Sequence, residues 1–507
     1  MKQTILDYFE QTVCRFPEHI AVGDEHGELT YRQLRDGARA AATAIARRGF
    51  CRRPIALLLK RDTMMPMAML SVLYSGNFYV VLDYESPSQR IEKILDTLCP
   101  ALLVYEPDCR DMAQSFAHRV EVMDYPLALA APADDARLEQ IRRCATASDP
   151  AYALFTSGST GVPKGAVLTH QNVVSYMGWF TRCFAINQDT VFGSQTSLYF
   201  SMSVSDLYGA LFTGGSYRMI PKTYFAFPGK LIPFMERYGI NTIYWVPSAL
   251  GVAAKFDLFK YCLPKSLKTV LFAGEVMPVK YLNYWRRYLP DLLYANLFGP
   301  TETTDICAYY VVDREFEESQ SLPIGIACDN CRLMVIGDDG APAEDGQPGE
   351  LYVGGPFVAS GYYRNPEKTG EAFVQNPLHS DYPETVYRTG DLVRRNALGE
   401  LEYIGRKDFQ IKHLGYRIEP SEVETALNTV EGVNLTVCVH DSQQDRLLLG
   451  YESGQDLTPA LSAAAEALLP HYMHPSAFFR FDAFPKNANG KIDRNAILHD
   501  ILTNYGG

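Results

Sequence analysis

The sequence predicts an α/β protein in two parts: a large N-terminal domain of parallel-sheet α/β subdomains plus a small β subdomain, followed by a small α+β C-terminal domain. Three observations predict it. From about residue 50 to residue 360, short apolar runs such as Ile55-Ala56-Leu57-Leu58-Leu59, Ala101-Leu102-Leu103-Val104-Tyr105 and Thr269-Val270-Leu271-Phe272-Ala273 alternate with longer amphipathic stretches. Such alternation of strand and helix builds largely parallel sheets. Between Gly349 and Tyr363, glycines and a proline cut the chain into short strands, the texture of a small β-rich subdomain. After Gly399-Glu400-Leu401-Glu402-Tyr403-Ile404-Gly405 comes the polar Arg406-Lys407-Asp408, and the remaining chain is long enough for an α+β unit of its own. The expected domains are therefore 1–405 and 406–507.

Length and composition set the outer limits. At 507 residues the chain exceeds one ordinary core, so two or more domains are expected. Hydrophobic residues make up 47% and charged residues 21%, a soluble-protein balance. The formal net charge is −12, and no Lys/Arg run offsets it, which excludes nucleic acid as an expected partner. The opening Met1 to Glu10 carries acids inside its apolar pattern, and no apolar stretch reaches membrane-spanning length, so a cytoplasmic protein is expected. Eleven scattered cysteines, an odd number, favour reduced thiols over a disulfide framework. Cys328 and Cys331 form a close pair with no second pair or histidines at zinc spacing, and read as an ordinary loop.

Five segments carry chemistry. Leu154-Phe155-Thr156-Ser157-Gly158-Ser159-Thr160-Gly161-Val162-Pro163-Lys164-Gly165 gathers hydroxyls, glycines and a lysine directly after an apolar strand. A loop of this kind can turn N–H groups and hydroxyls to phosphate oxygens while the lysine adds charge. Pro163 excludes a Walker loop, and composition alone also allows a plain turn. Asn296-Leu297-Phe298-Gly299-Pro300-Thr301-Glu302-Thr303-Thr304 sets an aromatic ring, a hydroxyl and a carboxylate on one turn, suited to a base and to Mg²⁺, or to a Gly-Pro turn with a capping Thr. In Tyr387-Arg388-Thr389-Gly390-Asp391 the aspartate can accept from two ribose hydroxyls or merely finish a turn. Gly405-Arg406-Lys407-Asp408 continuing to Glu419 opens the small domain, and Asn489-Gly490-Lys491 lies near the end on a turn where a lysine is ordinarily solvated.

In this order the five segments resemble the adenylate-forming superfamily of acyl-CoA synthetases, luciferases and nonribosomal peptide synthetase adenylation domains. The likeness runs from Leu29-Thr30-Tyr31-Arg32-Gln33-Leu34 to Lys491. Ile411-Lys412, Gly415-Tyr416-Arg417-Ile418-Glu419 and Ser203-Val204-Ser205-Asp206-Leu207-Tyr208 are similar to amino-acid-activating members, the D-alanine:carrier-protein ligases among them. The resemblance implies ATP and Mg²⁺ as cofactors, activation of a small carboxylic acid with release of pyrophosphate, and a carrier protein with a phosphopantetheine arm as acceptor. It implies that Thr156, Ser157, Gly158, Ser159, Thr160, Gly161 and Lys164 wrap the phosphates, that Phe298 stacks on adenine and that Asn296 lies at its edge. Thr301 and Glu302 would act at the phosphates, Glu302 holding Mg²⁺. Asp391 would hold the ribose, with Arg406 beside it. Lys491 would bridge the substrate carboxylate and the α-phosphate. The small domain would be mobile, turning about Asp408 so that Gly415-Tyr416-Arg417 meets the thiol arm. The chain ends at Gly507, soon after Lys491, so the carrier is expected to be a separate protein.

One position departs from the pattern. Where α-amino-acid-activating members carry an aspartate for the substrate ammonium, Phe200-Ser201-Met202 places Ser201. A hydroxyl cannot neutralise a buried cation, which argues against an ordinary α-amino acid. By motif spacing the acid pocket would be lined by Ser201, Met202, Ser205, Trp245, Leu271, Ala273, Leu297, Asp305 and Ile306. Asp305 supplies a new negative charge there, or else serves a salt bridge or cap elsewhere. The expected substrate is thus an amino acid with its cation away from the α-carbon. An aryl- or acyl-CoA ligase is the rival enzyme. A catalytically dead nucleotide- or carrier-binding regulator is the rival from outside enzymes, disfavoured because Lys164, Glu302, Asp391 and Lys491 are all present.

Overall fold

The structure, a computed structural model, describes residues 4–130, 132–158, 162–486 and 492–504. The chain divides into two units. The first comprises Met1–Tyr84, Leu98–Leu154 and Gly165–Lys407, the second Glu85–Thr97, Phe155–Lys164 and Asp408–Gly507.

Two large sheets organise the first unit. In the nine-stranded sheet, Leu293–Phe298, Thr269–Phe272, Thr242–Trp245, Val191–Ser194, Ser216–Met219 and Ile20–Gly23 run side by side in parallel. Antiparallel strands finish both edges. The six-stranded sheet is centred on Pro54–Leu58, paired in parallel with Phe78–Val81 and Leu102–Tyr105. Every residue of these three strands is buried, as expected for parallel strands covered by helices on both faces. The covering helices follow from local signals. Thr30 and Gln33 form a capping box at the start of Tyr31–Ala46, and Thr169 and Asn172 form another at the start of His170–Cys183. Met64–Tyr74 is buried all round from Met65 onward, which explains a helix without a polar face.

The small β subdomain is antiparallel: Arg332–Ile336, Gly349–Gly354, Thr385–Arg395 and Phe373–Gln375 in spatial order, with Leu401–Arg406 on the long Thr385–Arg395 strand. The stretch from Gly349 to Tyr363, expected as several short strands, holds one, Gly349–Gly354, followed by a loop in which Gly355 and Gly361 take positive φ.

The second unit has a core of its own around Ile418, Val423, Leu427, Leu447, Leu449 and Leu461. A hairpin of Ile411–His413 and Tyr416–Ile418 turns through Leu414 and Gly415, both at positive φ, the geometry of a tight two-residue turn. A three-stranded sheet of Leu435–Asp441, Arg446–Glu452 and Ala477–Phe481 carries the helices Pro420–Leu427, Thr458–Leu468 and Arg494–Asn504. Two segments distant in sequence belong to this unit, which a linear division at residue 405 does not contain. The Ser157 hydroxyl donates to the Arg417 carbonyl at 2.7 Å and accepts from the Glu419 N–H at 3.1 Å. Arg90 and Glu422 form an ion pair that is buried on both sides. No described helix is long and apolar enough to cross a membrane.

Candidate active site

The Gly-Pro-Thr-Glu turn leaves the end of Leu293–Phe298 and doubles back on itself. Cys307 N–H donates to the Phe298 carbonyl at 2.8 Å, closing the loop. A Cβ on Gly299 would stand 2.2 Å from the Asp305 carbonyl oxygen, so only glycine lets the two limbs approach. Within the loop Thr304 takes φ +71 and its hydroxyl donates to the Phe357 carbonyl at 2.8 Å. Glu302 is fully buried, its backbone carbonyl accepting from Ala359 and its carboxylate from the Tyr362 hydroxyl at 2.7 Å. The segment bearing Tyr362 is itself laid along the strand after the phosphate loop, through Val167 N–H to Gly361, Ser360 N–H to Val167 and Tyr363 N–H to Gly165. Glu302 is therefore a carboxylate fixed, through that segment, to the strand that leaves the loop. An oxygen ligand of this kind suits Mg²⁺.

Asp391 occupies the middle of Thr385–Arg395, where Gly390 at φ +75 lets Arg406 come close: a Cβ there would stand 2.8 Å from Arg406 Nη2. Arg406 Nη1 lies 3.1 Å from Asp391 Oδ1 and donates to the Thr389 carbonyl at 2.6 Å. Asp391 Oδ1 is near that cation yet in no aligned hydrogen bond, although the side chain is buried. A carboxylate held in place with acceptor capacity unspent is what a pair of ribose hydroxyls requires, so these residues fit a nucleotide.

Asn296 and Phe298 share one face of their strand. Asn296 Nδ2 donates to the Pro323 carbonyl at 2.8 Å. The Phe298 ring is 7% exposed, packed among Cys307, Ala308, Ile324 and Leu351, with Tyr403 5.8 Å away between centroids. In the loop expected to bind phosphate, Thr156 Oγ1 reaches the Lys164 carbonyl at 3.5 Å, and a Cβ on Gly158 would meet the Val162 carbonyl at 2.0 Å. Ser159, Thr160, Gly161 and Lys491 lie outside the described residues.

Asp305, expected to line the acid pocket, is 1% exposed, and the structure surrounds it with hydroxyls. Ser205 donates to Oδ2 at 2.5 Å, Tyr244 at 3.1 Å and Tyr176 at 3.3 Å, and Ser201 is a fourth donor. Burial pushes the carboxyl up to about 6, and the four hydroxyl donors hold it from rising further. Met202 and Ser205 stand one turn apart at the start of Met202–Thr213. Next to Ser205, Asp206 is buried as well, and desolvation raises it to about 8. The salt bridge and the cap considered for Asp305 are both absent among the described residues.

Trp245 departs from the expected lining. Successive strand residues face opposite sides, and Tyr244 is the one that turns to Asp305. Trp245 faces away, its Nε1 donating to the Gly193 carbonyl at 2.7 Å and its ring set edge-on to Phe225 and Trp285. Register places Leu271 opposite Tyr244 and Ala295 opposite Leu271, so Leu271, Ala273 and Leu297 lie on the Tyr244 side. Ile306 is buried directly after Asp305. Sequence reasoning missed Tyr244 and Tyr176. Alternation along Thr242–Trp245 was the available signal for the first; nothing local marks the second, on the helix His170–Cys183.

Asp391 thus stands beside Arg406, Glu302 is tied through Tyr362 to the segment along Lys164–Thr169, and Asp305 is enclosed. The chain belongs to the AMP-binding enzyme family, whose model matches residues 9–363. It is 32% identical over 499 residues to tyrocidine synthase 3 of Brevibacillus parabrevis, covering 97% of this chain and 8% of that protein. It is 31% identical over 509 residues to gramicidin S synthase 2 of Brevibacillus brevis, covering 98% and 11% respectively. The chain thus spans only a small part of the length of either relative. Among solved structures it is similar to an NRPS protein containing adenylation and PCP domains bound to a vinylsulfonamide inhibitor, with TM-score 0.85, 25% identity, and 98% of this chain and 84% of that one covered. The Vibrio cholerae adenylation domain AlmE in complex with glycyl-adenosine-5'-phosphate shares the fold, with TM-score 0.84 at 20% identity over 99% of this chain and 98% of that one. As a member of that family the chain is an adenylate-forming ligase of the α/β class and uses ATP.

Proposed function

We propose that this enzyme, with Mg²⁺, activates a small amino acid whose ammonium or guanidinium is not at the α-carbon, and passes the acyl group to the phosphopantetheine thiol of a carrier protein. The observation that carries the reading is Asp305, an enclosed carboxylate within hydrogen-bond reach of Ser201. The family's anion for an α-ammonium belongs at position 201; here it stands one hydrogen bond away, about 3 Å. That displacement is the length of one to two carbon–carbon bonds, which favours a β-amino acid or a short ω-amino or guanidino acid.

The residues divide the work. Lys164 and the loop before it neutralise the β- and γ-phosphates, Glu302 is the ligand for Mg²⁺, and Asp391 with Arg406 orients the ribose. ATP, when bound, supplies the electrophilic α-phosphorus. A substrate carboxylate oxygen forms a bond to that phosphorus as the bond to pyrophosphate breaks, and Lys491 stabilises the charge that grows between them. In the second half-reaction the thiol adds to the acyl carbon and AMP leaves. Asp408 is the hinge residue of this proposal, at the start of the second unit's long segment. The neighbour with adenylation and PCP domains supports a carrier as acceptor.

The reading is tested by pyrophosphate exchange with purified protein against α-amino, β-amino, hydroxy and aryl acids. Exchange is expected to be fastest with a β- or short ω-amino acid. Strong selectivity for a plain α-amino acid overturns it.

A further inference from the structure

The second unit brings together three side chains that the adenylation chemistry does not use. His413 ends the strand Ile411–His413, His440 lies near the end of Leu435–Asp441, and Asp445 sits in the turn joining that strand to Arg446–Glu452. Asp445 takes φ +48, a left-handed conformation that an Asp tolerates better than most residues but still marks a fixed turn. His413 Nδ1 and His440 Nε2 each approach Asp445 Oδ1 to 2.9 Å, and one ligand atom from each residue lies within 4.8 Å of the other two. His413 is buried and the other two are half-buried.

We propose that His413, His440 and Asp445 form a binding site for a divalent transition-metal ion of the Zn²⁺ or Co²⁺ kind. Two imidazoles and one carboxylate oxygen are a borderline ligand set that matches these ions, whereas Mg²⁺ and Ca²⁺ call for six or more oxygens. The spacing is right as well. Tetrahedral zinc with bonds of about 2.1 Å separates its ligands by about 3.4 Å, so the two 2.9 Å contacts need open by only about half an ångström. Three protein ligands leave a fourth position to water. The ion would tie the Ile411–His413 and Tyr416–Ile418 hairpin to the sheet hairpin of Leu435–Asp441 and Arg446–Glu452, a structural role within this unit rather than a second catalytic centre.

The test uses the full chain, stripped with chelator, without ATP, and titrated with Co²⁺ and then Zn²⁺. One equivalent of Co²⁺ is expected to bind, with visible ligand-field bands that Zn²⁺ abolishes. Asp445→Asn, which keeps the shape, and His440→Ala should each weaken binding at least tenfold, while His471→Ala leaves it unchanged. Zn²⁺ should raise the Tm of the wild type and not that of Asp445→Asn. Unchanged binding in both site variants overturns the proposal, as does absence of stoichiometric binding. A strong near-ultraviolet thiolate charge-transfer band also overturns it, since that would put the metal on cysteine.

Discussion

Asp305 and Asp445 are the same side chain in two opposite environments. Asp305 is enclosed in the first unit among Ser201, Ser205, Tyr176 and Tyr244, all neutral donors, and burial lifts it to about 6. Asp445 is partly open in the second unit, and the hydrogen bonds of two histidines outweigh its burial and hold it below the usual range. Hydroxyls can satisfy the lone pairs of a carboxylate but cannot return the solvation energy of its charge; imidazoles can take up that charge themselves. The first site is therefore an anion still short of a counter-ion, which a cationic substrate would supply. The second already holds two imidazole nitrogens 2.9 Å from one carboxylate oxygen.

The largest expected effect removes the uncompensated charge. Asp305→Asn should reduce kcat/KM for the preferred cationic acid by about 2 to 5 kcal/mol, the scale of a broken buried charge pair, and far less for an uncharged analogue. Protonation should imitate the substitution. As pH falls through about 6, Asp305 loses its charge, and kcat/KM for the cationic acid should drop about tenfold per unit relative to the uncharged one. Parallel pH profiles for the two acids would break the contrast on which the substrate assignment rests.

A smaller effect, on stability, has opposite signs at the two sites. A carboxyl raised by folding adds stability below its unfolded pKa and loses that contribution as pH rises through its folded pKa. Without substrate at pH 8, Asp305→Asn should be more stable than wild type by about 2 kcal/mol, and at pH 4 the gain should vanish. A carboxyl lowered by folding contributes above its unfolded pKa instead, so Asp445→Asn at pH 8 should be less stable, by about 1 kcal/mol after allowance for its exposure. Urea titrations in chelator at the two pH values measure both, and a common sign would sink the comparison.

How much of this was legible in the sequence depends on whether the signal was local. The parallel sheets were readable because both of their faces are buried, so that Pro54–Leu58 and Thr269–Phe272 appear as unbroken apolar runs. The turn at Gly299 was readable because the close backbone approach there demands glycine, whereas beside Asp391 the neighbour that Gly390 admits is the Arg406 side chain, which no local pattern announces. The hydroxyl ring around Asp305 was not, because its members come from two helices, a strand and a loop up to 129 residues apart. Sequence spacing named Ser201 and Ser205, which one helix and its N-cap position carry, and missed the partners that came from elsewhere. The His413, His440 and Asp445 group was invisible for the same reason: a two-residue hairpin and a strand turn bring it together, and neither spacing resembles a metal motif.

The smallest predicted effect tests the single-residue correction on Thr242–Trp245. Because side chains alternate with a period of two, a one-residue error in assigning a strand position moves the expected contact to the other face of the sheet. Tyr244 donates to Asp305 at 3.1 Å, and Trp245 donates to the Gly193 carbonyl on the far side. Tyr244→Phe removes one hydrogen bond to a carboxylate that keeps three other donors, so it should change kcat/KM for the cationic acid by about 1 kcal/mol, and should move the apparent pKa of the profile upward, because a donor that favours the ionised form is gone. Trp245→Phe opens a cavity beside Phe225 and Trp285, so it should lower stability while leaving both the acid preference and the pH profile where they were. Measuring the two variants against the same pair of acids separates the faces: a shift in the pH profile with Trp245→Phe and none with Tyr244→Phe would reverse the assignment.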